Sequence, residues 1–277
     1  MAMRTRVSLF SAALLLFTLL PSLCAPFFPT FAAQAGQASE APLPVINHLA
    51  DLNGKNVGVL VGTYVDEVVE RNLDYVTIEY FDDYDHMEAA LINGEIDALW
   101  SDYPILKYRE NIDPRLRVLN EVIETSNYAF GFRNADSALR SQVDAVIREL
   151  MDNGQMEQLI NRWVHEDGEG DSLGINPGMS TGKALRLGIT NVMPPFTFFN
   201  AAGEPVGLEV DLARIIAQRL GRLLVIEDMP FSSLISALKN GKVDIIGSAI
   251  AITKERKIIL SFSISYFSTG VVPLVRR

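Results

Sequence analysis

Residues 89–99 (AALINGEIDAL) reappear in altered form as residues 236–246 (SALKNGKVDII), and this near-repeat decides the fold. In each copy a helical pattern ends at an Asn-Gly pair, because glycine readily takes the left-handed conformation that ends a helix. An apolar run typical of a strand follows each pair, and residues 56–61 and 184–190 are strand candidates upstream. Strand, helix and strand in alternation predict parallel sheets with right-handed crossovers.

The near-repeat also predicts how the chain is organised. Two equivalent units indicate two α/β lobes that face each other, with a ligand crevice between them. Chance similarity is the alternative, since Leu, Ala and Asn-Gly are common in helix–turn–strand units. The shared Ala-Leu and the Asp inside each second strand, Asp97 and Asp244, favour true equivalence.

The bulk composition is that of a globular protein with a sizeable core. The chain has 277 residues, of which 48% are hydrophobic and 21% charged. Its formal net charge of −10 at pH 7 argues against nucleic acid as a partner.

The first 35 residues have the pattern of a cleaved secretory signal. Arg4 and Arg6 precede the apolar run 7–20, and small residues follow up to Ala35. The apolar run is short for a permanent membrane anchor and prolines interrupt its continuation, so export with cleavage is the prediction. The one cysteine, Cys24, lies in this segment, which leaves the mature protein without a thiol.

Composition divides the remaining chain into four parts. Residues 36–48 are predicted to be a flexible leader, residues 49–163 the first α/β half with two helices at its end, and residues 164–182 a linker. Residues 183–277 are predicted to be the second α/β half. Its last apolar strand has no partner following it, so we expect that strand to belong to the region between the lobes.

Motifs for catalysis and for cofactors are missing. The three histidines have no metal-ligand spacing, and there is no nucleophile elbow, phosphate loop or dinucleotide fingerprint. The sequence therefore predicts binding rather than catalysis, with no cofactor.

Asp102 stands where a strand ends, directly after Trp100 and Ser101. The carboxyl ends of such strands face the crevice, and an ionised Asp there is a natural partner for an ammonium group. The alternative is that Asp102 caps the following helix, because Pro104 suits the first helical turn.

Arg256 follows the second near-repeat. From there it could clamp a carboxylate with two parallel hydrogen bonds, with Thr253 capping its helical turn. The alternative is a solvated Arg in a mixed-charge surface turn. The segment Gly62, Thr63 and Tyr64 meets a helix amino end, whose amides bind anions, although every helix has such an end.

These residues lie in motifs that resemble the polar-amino-acid periplasmic binding proteins, the glutamine/histidine type of solute-binding protein of ABC importers. Residues 183–277 resemble that family's first half, through the stretches PPFTF (194–198), GLEVDLA (207–213), FSSLISAL (231–238), ITKER (252–256) and SFS (261–263). Residues 49–163 resemble its second half, through LNGK (52–55), VLVGT (59–63), DALWSD (97–102) and the closing Gly154 to Trp163.

The order of the halves departs from the family. There the half with the Arg comes first, whereas here it comes last, so the sequence looks like a circular permutant with residues 164–182 joining the usual ends. The competing explanation is a truncated tandem array whose halves pair as a domain-swapped dimer. The resemblance implies a two-lobe α/β fold of the periplasmic-binding-protein type II (Venus-flytrap) class.

The resemblance also implies a ligand set. The Arg matching Arg256 holds the ligand α-carboxylate, and the Asp matching Asp102 holds the α-ammonium. The other implied contacts are hydroxyl and amide donors at Thr63 and Tyr64, packing on the ligand side chain by Phe231, and a backbone acceptor at Ala249.

Three positions break the family pattern. Met193 replaces an aromatic ring, Ala251 replaces a hydroxyl that touches the carboxylate, and Thr190 replaces an acidic residue that often selects a polar side chain. Leu60 and Trp100 are expected to add apolar surface, although Trp100 and Met193 could equally be core residues. We therefore expect a small or apolar amino acid and not a basic one.

The leading functional hypothesis is extracytoplasmic capture of a free amino acid in the periplasm for an ABC permease or a membrane sensor, by a monomer or a domain-swapped dimer. One alternative is an enzyme on the same scaffold, similar to the cyclohexadienyl or arogenate dehydratases, with Asp102 or Glu209 as its acid. Another is a degenerate module that binds nothing, because of the hydroxyl lost at Ala251.

Overall fold

The computed structural model describes residues 45–165 and 182–277. The predicted signal, most of the predicted leader and most of the predicted linker lie outside these residues. In chain order the elements are β1 (Asn56–Leu60), α1 (Val65–Asn72), β2 (Thr77–Phe81), α2 (Tyr84–Asn93), β3 (Ala98–Asp102), α3 (Tyr103–Ile112), β4 (Leu116–Val118), β5 (Glu124–Tyr128), β6 (Gly131–Phe132), α4 (Ser137–Asp152), α5 (Gln155–Ile160), β7 (Leu185–Ile189), β8 (Val192–Met193), β9 (Thr197–Phe199), β10 (Pro205–Val206), α6 (Leu208–Arg219), β11 (Leu224–Asp228), α7 (Leu234–Lys239), β12 (Ile245–Ile246), α8 (Lys254–Ile259), β13 (Ser261–Phe262) and β14 (Phe267–Arg276).

The larger of the two main sheets has the order β2-β1-β3-β14-β4, with β5 also paired to β14. Strands β1, β2 and β3 are parallel, as the alternation of strand and helix predicts, whereas β14 runs antiparallel to its neighbours. This sheet is built from the first half of the chain, apart from the last strand.

The other main sheet has the order β11-β7-β12-β6-β13. Here β7, β11 and β12 are parallel, and β6 runs antiparallel to both of its neighbours, β12 and β13. A small antiparallel sheet, β10-β9-β8, lies beside it. The mixed α/β class predicted from the sequence is confirmed.

The chain crosses between the sheets twice within the described residues. Residues 129–130 lead from β5 to β6, and residues 263–266 lead from β13 to β14. The crossings run side by side, since the Ser263 amide donates to the Phe130 carbonyl at 3.0 Å. We define lobe A as residues 45–128 with 267–277, and lobe B as residues 131–165 with 182–262.

Each lobe thus takes a strand from the other half of the sequence. The last strand, expected between the lobes, lies inside the sheet of lobe A, while α4 and α5 pack against α6 of lobe B. The predicted leader also reaches the fold, because Ile46 is buried in the core of lobe A. The domain boundaries and the permuted order of the lobes stay predictions.

The near-repeat has the same hydrogen bonds in both copies. In lobe A, Arg276 donates to the carbonyls of Leu91 and Ile96, and Asp97 accepts the Asn56 amide at 3.2 Å.

In lobe B, Arg133 donates to the carbonyls of Leu238 and Val243 at 2.9 and 2.5 Å, and Asp244 accepts the Arg186 amide at 3.0 Å. These are the equivalent positions of the repeat. The equivalence inferred from the shared Asn-Gly and Asp is therefore confirmed, and in each copy the arginine comes from the other half of the chain.

Two apolar runs form shorter strands than their length suggests. The run 128–133 is divided between β5 and β6, because its residues 129–130 form the buried crossing between the two sheets. The run 243–250 is a strand only at Ile245–Ile246, because Ser248 and Ala249 take positive φ angles of 83° and 53°. In the described residues no helix combines the length and apolarity needed to cross a bilayer.

Candidate functional site

A small cavity lies between the lobes, and residues of both line it. The volume open to the centre of a water molecule is about 10 Å³, which is room for about one water. Lobe A contributes Thr63, Tyr64, Val65, Tyr84, Ser101, Asp102 and Ile105; lobe B contributes Met193, Phe231, Ala249 and Arg256.

Asp102 reaches this cavity because β3 ends there and α3 begins at the next residue. Its side chain makes no capping hydrogen bond to α3, although it stands at the capping position. The Tyr64 hydroxyl donates to Asp102 Oδ1 at 3.2 Å instead. Of the two interpretations of Asp102, the structure therefore favours the one that places its carboxylate in the crevice.

The surroundings of Asp102 keep its carboxyl group partly protonated near neutral pH. Burial raises its pKa to about 6, and the hydroxyls of Tyr128, Tyr64 and Ser126 together with the charge of Arg256 oppose that rise. The Ser126 and Tyr128 hydroxyls lie near the carboxylate without meeting the geometry of a full hydrogen bond. Asp102 thus has free acceptor capacity on its buried oxygens.

Arg256 lies in the first turn of α8, whose start is capped by Thr253. The Thr253 hydroxyl accepts the Arg256 amide at 3.1 Å, as the sequence predicted. Arg256 is 7% exposed, and its guanidinium donates to the Ala251 carbonyl at 3.0 Å and lies 5.7 Å from the centre of the Phe231 ring. It is therefore not the solvated surface residue of the alternative interpretation.

Arg256 also connects the lobes. Its Nη2 donates to the Gly62 carbonyl of lobe A at 3.2 Å. In the described part of the chain no ion pair within 4.0 Å joins Arg256 to Asp102, although both line the cavity. Burial lowers the pKa of Arg256, and the negative charge of Asp102 opposes that shift. Both charged side chains thus line one small cavity without forming a direct ion pair.

Glu209 supports the backbone next to the cavity. Its buried carboxylate accepts the amides of Ser248 and Ala249 and the Tyr266 hydroxyl, the last two at 2.8 Å. Burial raises the pKa of Glu209, and these hydrogen bonds oppose the rise. Glu209 holds the two positive-φ residues in place and is not among the residues that line the cavity.

The other residues predicted from the sequence divide into two groups. Thr63, Tyr64, Phe231, Ala249 and Met193 line the cavity with Asp102 and Arg256; Thr190, Ala251, Leu60 and Trp100 do not.

The residues of the second group are buried beside the cavity or in a core. The Thr190 amide donates to Ser248 Oγ at 2.8 Å, and the Leu60 carbonyl accepts the Thr63 hydroxyl at 2.8 Å. Ala251 contributes its carbonyl to Arg256. Trp100 packs in the core of lobe A.

Sequence reasoning missed a hydroxyl pair in the cavity wall. Tyr84, at the start of α2, and Ser101, at the end of β3, are 2.5 Å apart between their oxygens. Ser101 could have been noticed as the neighbour of Asp102. No sequence signal marks Tyr84, because a pairing between a helix and a distant strand leaves no local pattern.

A comparison with known families matches part of this chain. Residues 185–277 match the family described as bacterial extracellular solute-binding proteins, family 3. The resemblance read from residues 183–277 is thereby confirmed. The match lies in the half of the chain that carries Arg256 and Phe231.

Individual relatives agree with this match. The chain is 30% identical over 100 residues to the ABC transporter arginine-binding protein 1 of Escherichia coli (strain K12), which is 36% of this chain and 41% of that protein. It is 36% identical over 96 residues to the arginine-binding extracellular protein ArtP of Bacillus subtilis (strain 168), which is 34% of this chain and 37% of that protein. The chain thus spans about two fifths of the length of these relatives.

Among solved structures, the arginine-bound form of domain 1 from TmArgBP is 41% identical to this chain. The similarity covers 34% of this chain and 80% of that one, with a TM-score of 0.30. The relatives are binding proteins rather than enzymes by their names.

Proposed function

We propose that this protein captures a free amino acid between its two lobes. The observation that carries the proposal is that Asp102 and Arg256, one from each lobe, line the same small cavity without forming an ion pair. A zwitterion supplies the ammonium that the Asp102 carboxylate lacks and the carboxylate that the Arg256 guanidinium lacks. Buried charges are costly unless paired, so a ligand with both charges is the best match to the site.

The lining favours a ligand without net charge. Asp102 and Arg256 are the charged residues among those that line the cavity. A third charge on a lysine, arginine or glutamate ligand would find no partner there, whereas Val65, Ile105 and Met193 offer apolar surface. Although the relatives named above are arginine-binding proteins, a small or apolar amino acid suits this chain better.

Binding requires the lobes to move apart. The cavity has room for about one water, too little for an amino acid, and the guanidinium already bridges to the Gly62 carbonyl of the opposite lobe. Residues 129–130 and 263–266, where the chain passes between the sheets, are the natural hinges. The ligand enters the open form, and its two charged ends then draw Asp102 and Arg256 together around it.

The cellular setting follows from the same proposal. A signal at residues 1–35 directs the chain out of the cytoplasm, into the periplasm, where it delivers its ligand to an ABC permease or a membrane sensor. The chain acts as a monomer with both lobes from one copy, in the permuted order that the sequence suggests. An extracellular solute-binding family and binding-protein relatives support this setting.

Calorimetric titration of the purified chain with the standard amino acids tests the proposal. We expect heat with one or a few small neutral amino acids and none with arginine or lysine. Tightest binding of a basic amino acid would refute the ligand class, and heat with none of them would indicate the degenerate module. Turnover of arogenate or prephenate to an aromatic product would favour the dehydratase-like enzyme instead.

A further inference from the structure

Two buried hydroxyls in the cavity wall lack a complete set of partners. Tyr84 is 1% exposed and Ser101 is 3% exposed, and their oxygens are 2.5 Å apart. Two hydroxyls carry two protons, of which this contact uses one. Among the described residues neither hydroxyl makes a second hydrogen bond, so one O–H proton has no acceptor in a pair that lines the cavity.

The pair stays protonated and fixed in position. Burial raises the pKa of Tyr84 to about 12, although its hydrogen bond to Ser101 and the charge of Arg109 oppose that rise. The Arg109 guanidinium carbon lies 4.5 Å from the centre of the Tyr84 ring. Arg109 Nη1 in turn donates to Glu88 Oε1 at 2.7 Å, which fixes the guanidinium that packs on the Tyr84 ring.

An unused buried hydroxyl indicates a bound polar group. A buried donor without an acceptor is costly, and native proteins nearly always satisfy it. Of the other side chains that line the cavity, Val65, Ile105 and Met193 are apolar, and the Asp102 carboxylate is the acceptor that a ligand ammonium would occupy. The missing acceptor is therefore best supplied by whatever the cavity binds.

The position of the pair fixes the part of the ligand that it meets. Ser101 precedes Asp102 in β3, and consecutive Cα atoms are about 3.8 Å apart. Because Tyr84, Ser101 and Asp102 all line this small cavity, we expect an amino acid whose ammonium is held by Asp102 to bring the first atoms of its side chain to the hydroxyl pair. A longer side chain would pass the pair and meet Phe231 and Met193 of lobe B.

We propose that Tyr84 and Ser101 form hydrogen bonds with a hydroxyl on the ligand side chain, so that the protein prefers serine or threonine to alanine or valine. This inference rests on the proposed function, because it assumes a zwitterion held by Asp102 and Arg256. The ligand hydroxyl accepts a hydrogen bond from the free O–H of Tyr84 or Ser101. It donates its own proton to an oxygen lone pair of one of these two residues. A site built to bond a hydroxyl discriminates against the analogue that lacks it.

Titration with matched ligands tests the inference. Serine against alanine and threonine against valine differ at one group, so the ratio of their dissociation constants isolates the hydroxyl. We expect the wild-type protein to bind each hydroxyl ligand about 10-fold tighter than its partner. In Tyr84→Phe and in Ser101→Ala, the ratio is expected to fall to about 1.

Tyr80→Phe is the matched control. Tyr80 also lies in lobe A, but it is 55% exposed and its hydroxyl contacts Asp66, outside the cavity. This variant is expected to keep the wild-type ratio. Thermal melting of all three variants checks that they fold, and Ser101→Ala, a smaller change, carries the test if Tyr84→Phe does not fold.

Failure of the inference differs from failure of the proposed function. Equal binding of serine and alanine by the wild-type protein, or a ratio that persists in both cavity variants, would overturn the role of the hydroxyl pair. In those cases the zwitterion site would still stand. If no amino acid binds, the proposed function fails, and this inference fails with it.

Discussion

Replacing Asp102 by Asn is expected to stabilise the ligand-free protein at neutral pH and to abolish amino acid binding. The carboxylate is buried, and its environment holds its pKa at about 6 instead of its ordinary value of 3.8. The isosteric amide keeps the shape of the site and removes the charge. Stability and binding thus change in opposite directions, as expected for a residue kept for function.

The sign and size of the effect follow from the two pKa values. Below about pH 4 the Asp102 carboxyl group is largely protonated in both the folded and the unfolded state, so it lowers the free energy of unfolding very little. Between about pH 4 and pH 6 the unfolded chain releases its proton while the folded chain keeps it, so this group's contribution to stability falls as pH rises. Above about pH 6 the full cost of about 3 kcal/mol is present.

Urea unfolding of both proteins across this pH range measures the effect. The free energy of unfolding of Asp102→Asn minus that of the wild type is expected to grow by about 3 kcal/mol between about pH 4 and pH 7.5. Because other groups titrate alike in both proteins, the difference isolates Asp102. A constant difference, or one that shrinks as pH rises, would refute the reasoning.

Asp244→Asn is a control with the opposite sign. Burial opposes ionisation of Asp244 too, but hydrogen bonds from Arg186 hold its pKa below its ordinary value. Asp244 therefore contributes stability that is present above the unfolded pKa and is lost as pH falls through the folded pKa. The deficit of Asp244→Asn relative to wild type should shrink on acidification, whereas an unchanged deficit would contradict this account.

Three further changes test the site. Arg256→Lys replaces a planar fork with a single cation and is expected to weaken amino acid binding about 30-fold by titration; unchanged affinity would argue against a carboxylate clamp. Gly62→Ala places a Cβ 3.0 Å from the Ser232 Cα at a φ of +80°, so closure is strained and affinity should fall about 10-fold, with a larger radius of gyration in solution scattering. Glu209→Gln turns an amide N–H toward the backbone donors at Ala249 and should cost about 2 kcal/mol in urea unfolding at neutral pH; wild-type stability would contradict its supporting role.

The sequence pattern predicted the features of the fold that depend on residues close together in the chain, such as the ends of helices. The Asn-Gly pairs end α2 and α7, with Gly94 and Gly241 at φ angles of 80° and 73°. The Asp that follows each pair binds equivalent backbone in both lobes, as the repeat suggested. The arginines that complete each unit come from the other half of the chain, so no reading of the repeat alone could find them.

Long-range contacts explain what the sequence did not show. Trp100 and Asp102 alternate to the same side of a strand, yet Trp100 is in the core of lobe A and Asp102 is in the cavity, because β3 ends at Asp102. The early end of the strand near Ile246 depends on Glu209, which lies on another element. Side-chain pairs such as Tyr84 with Ser101 likewise form only when distant elements pack.

The central claim is that Asp102 and Arg256 together hold a zwitterion, and titration with ligands that lack one charge tests it most directly. Serine is compared with ethanolamine, which lacks the carboxylate, and with 3-hydroxypropionate, which lacks the ammonium. The account predicts that each loses at least about 100-fold in affinity, because each leaves one buried charge without a partner. Binding of either analogue within about 10-fold of the best amino acid would contradict it.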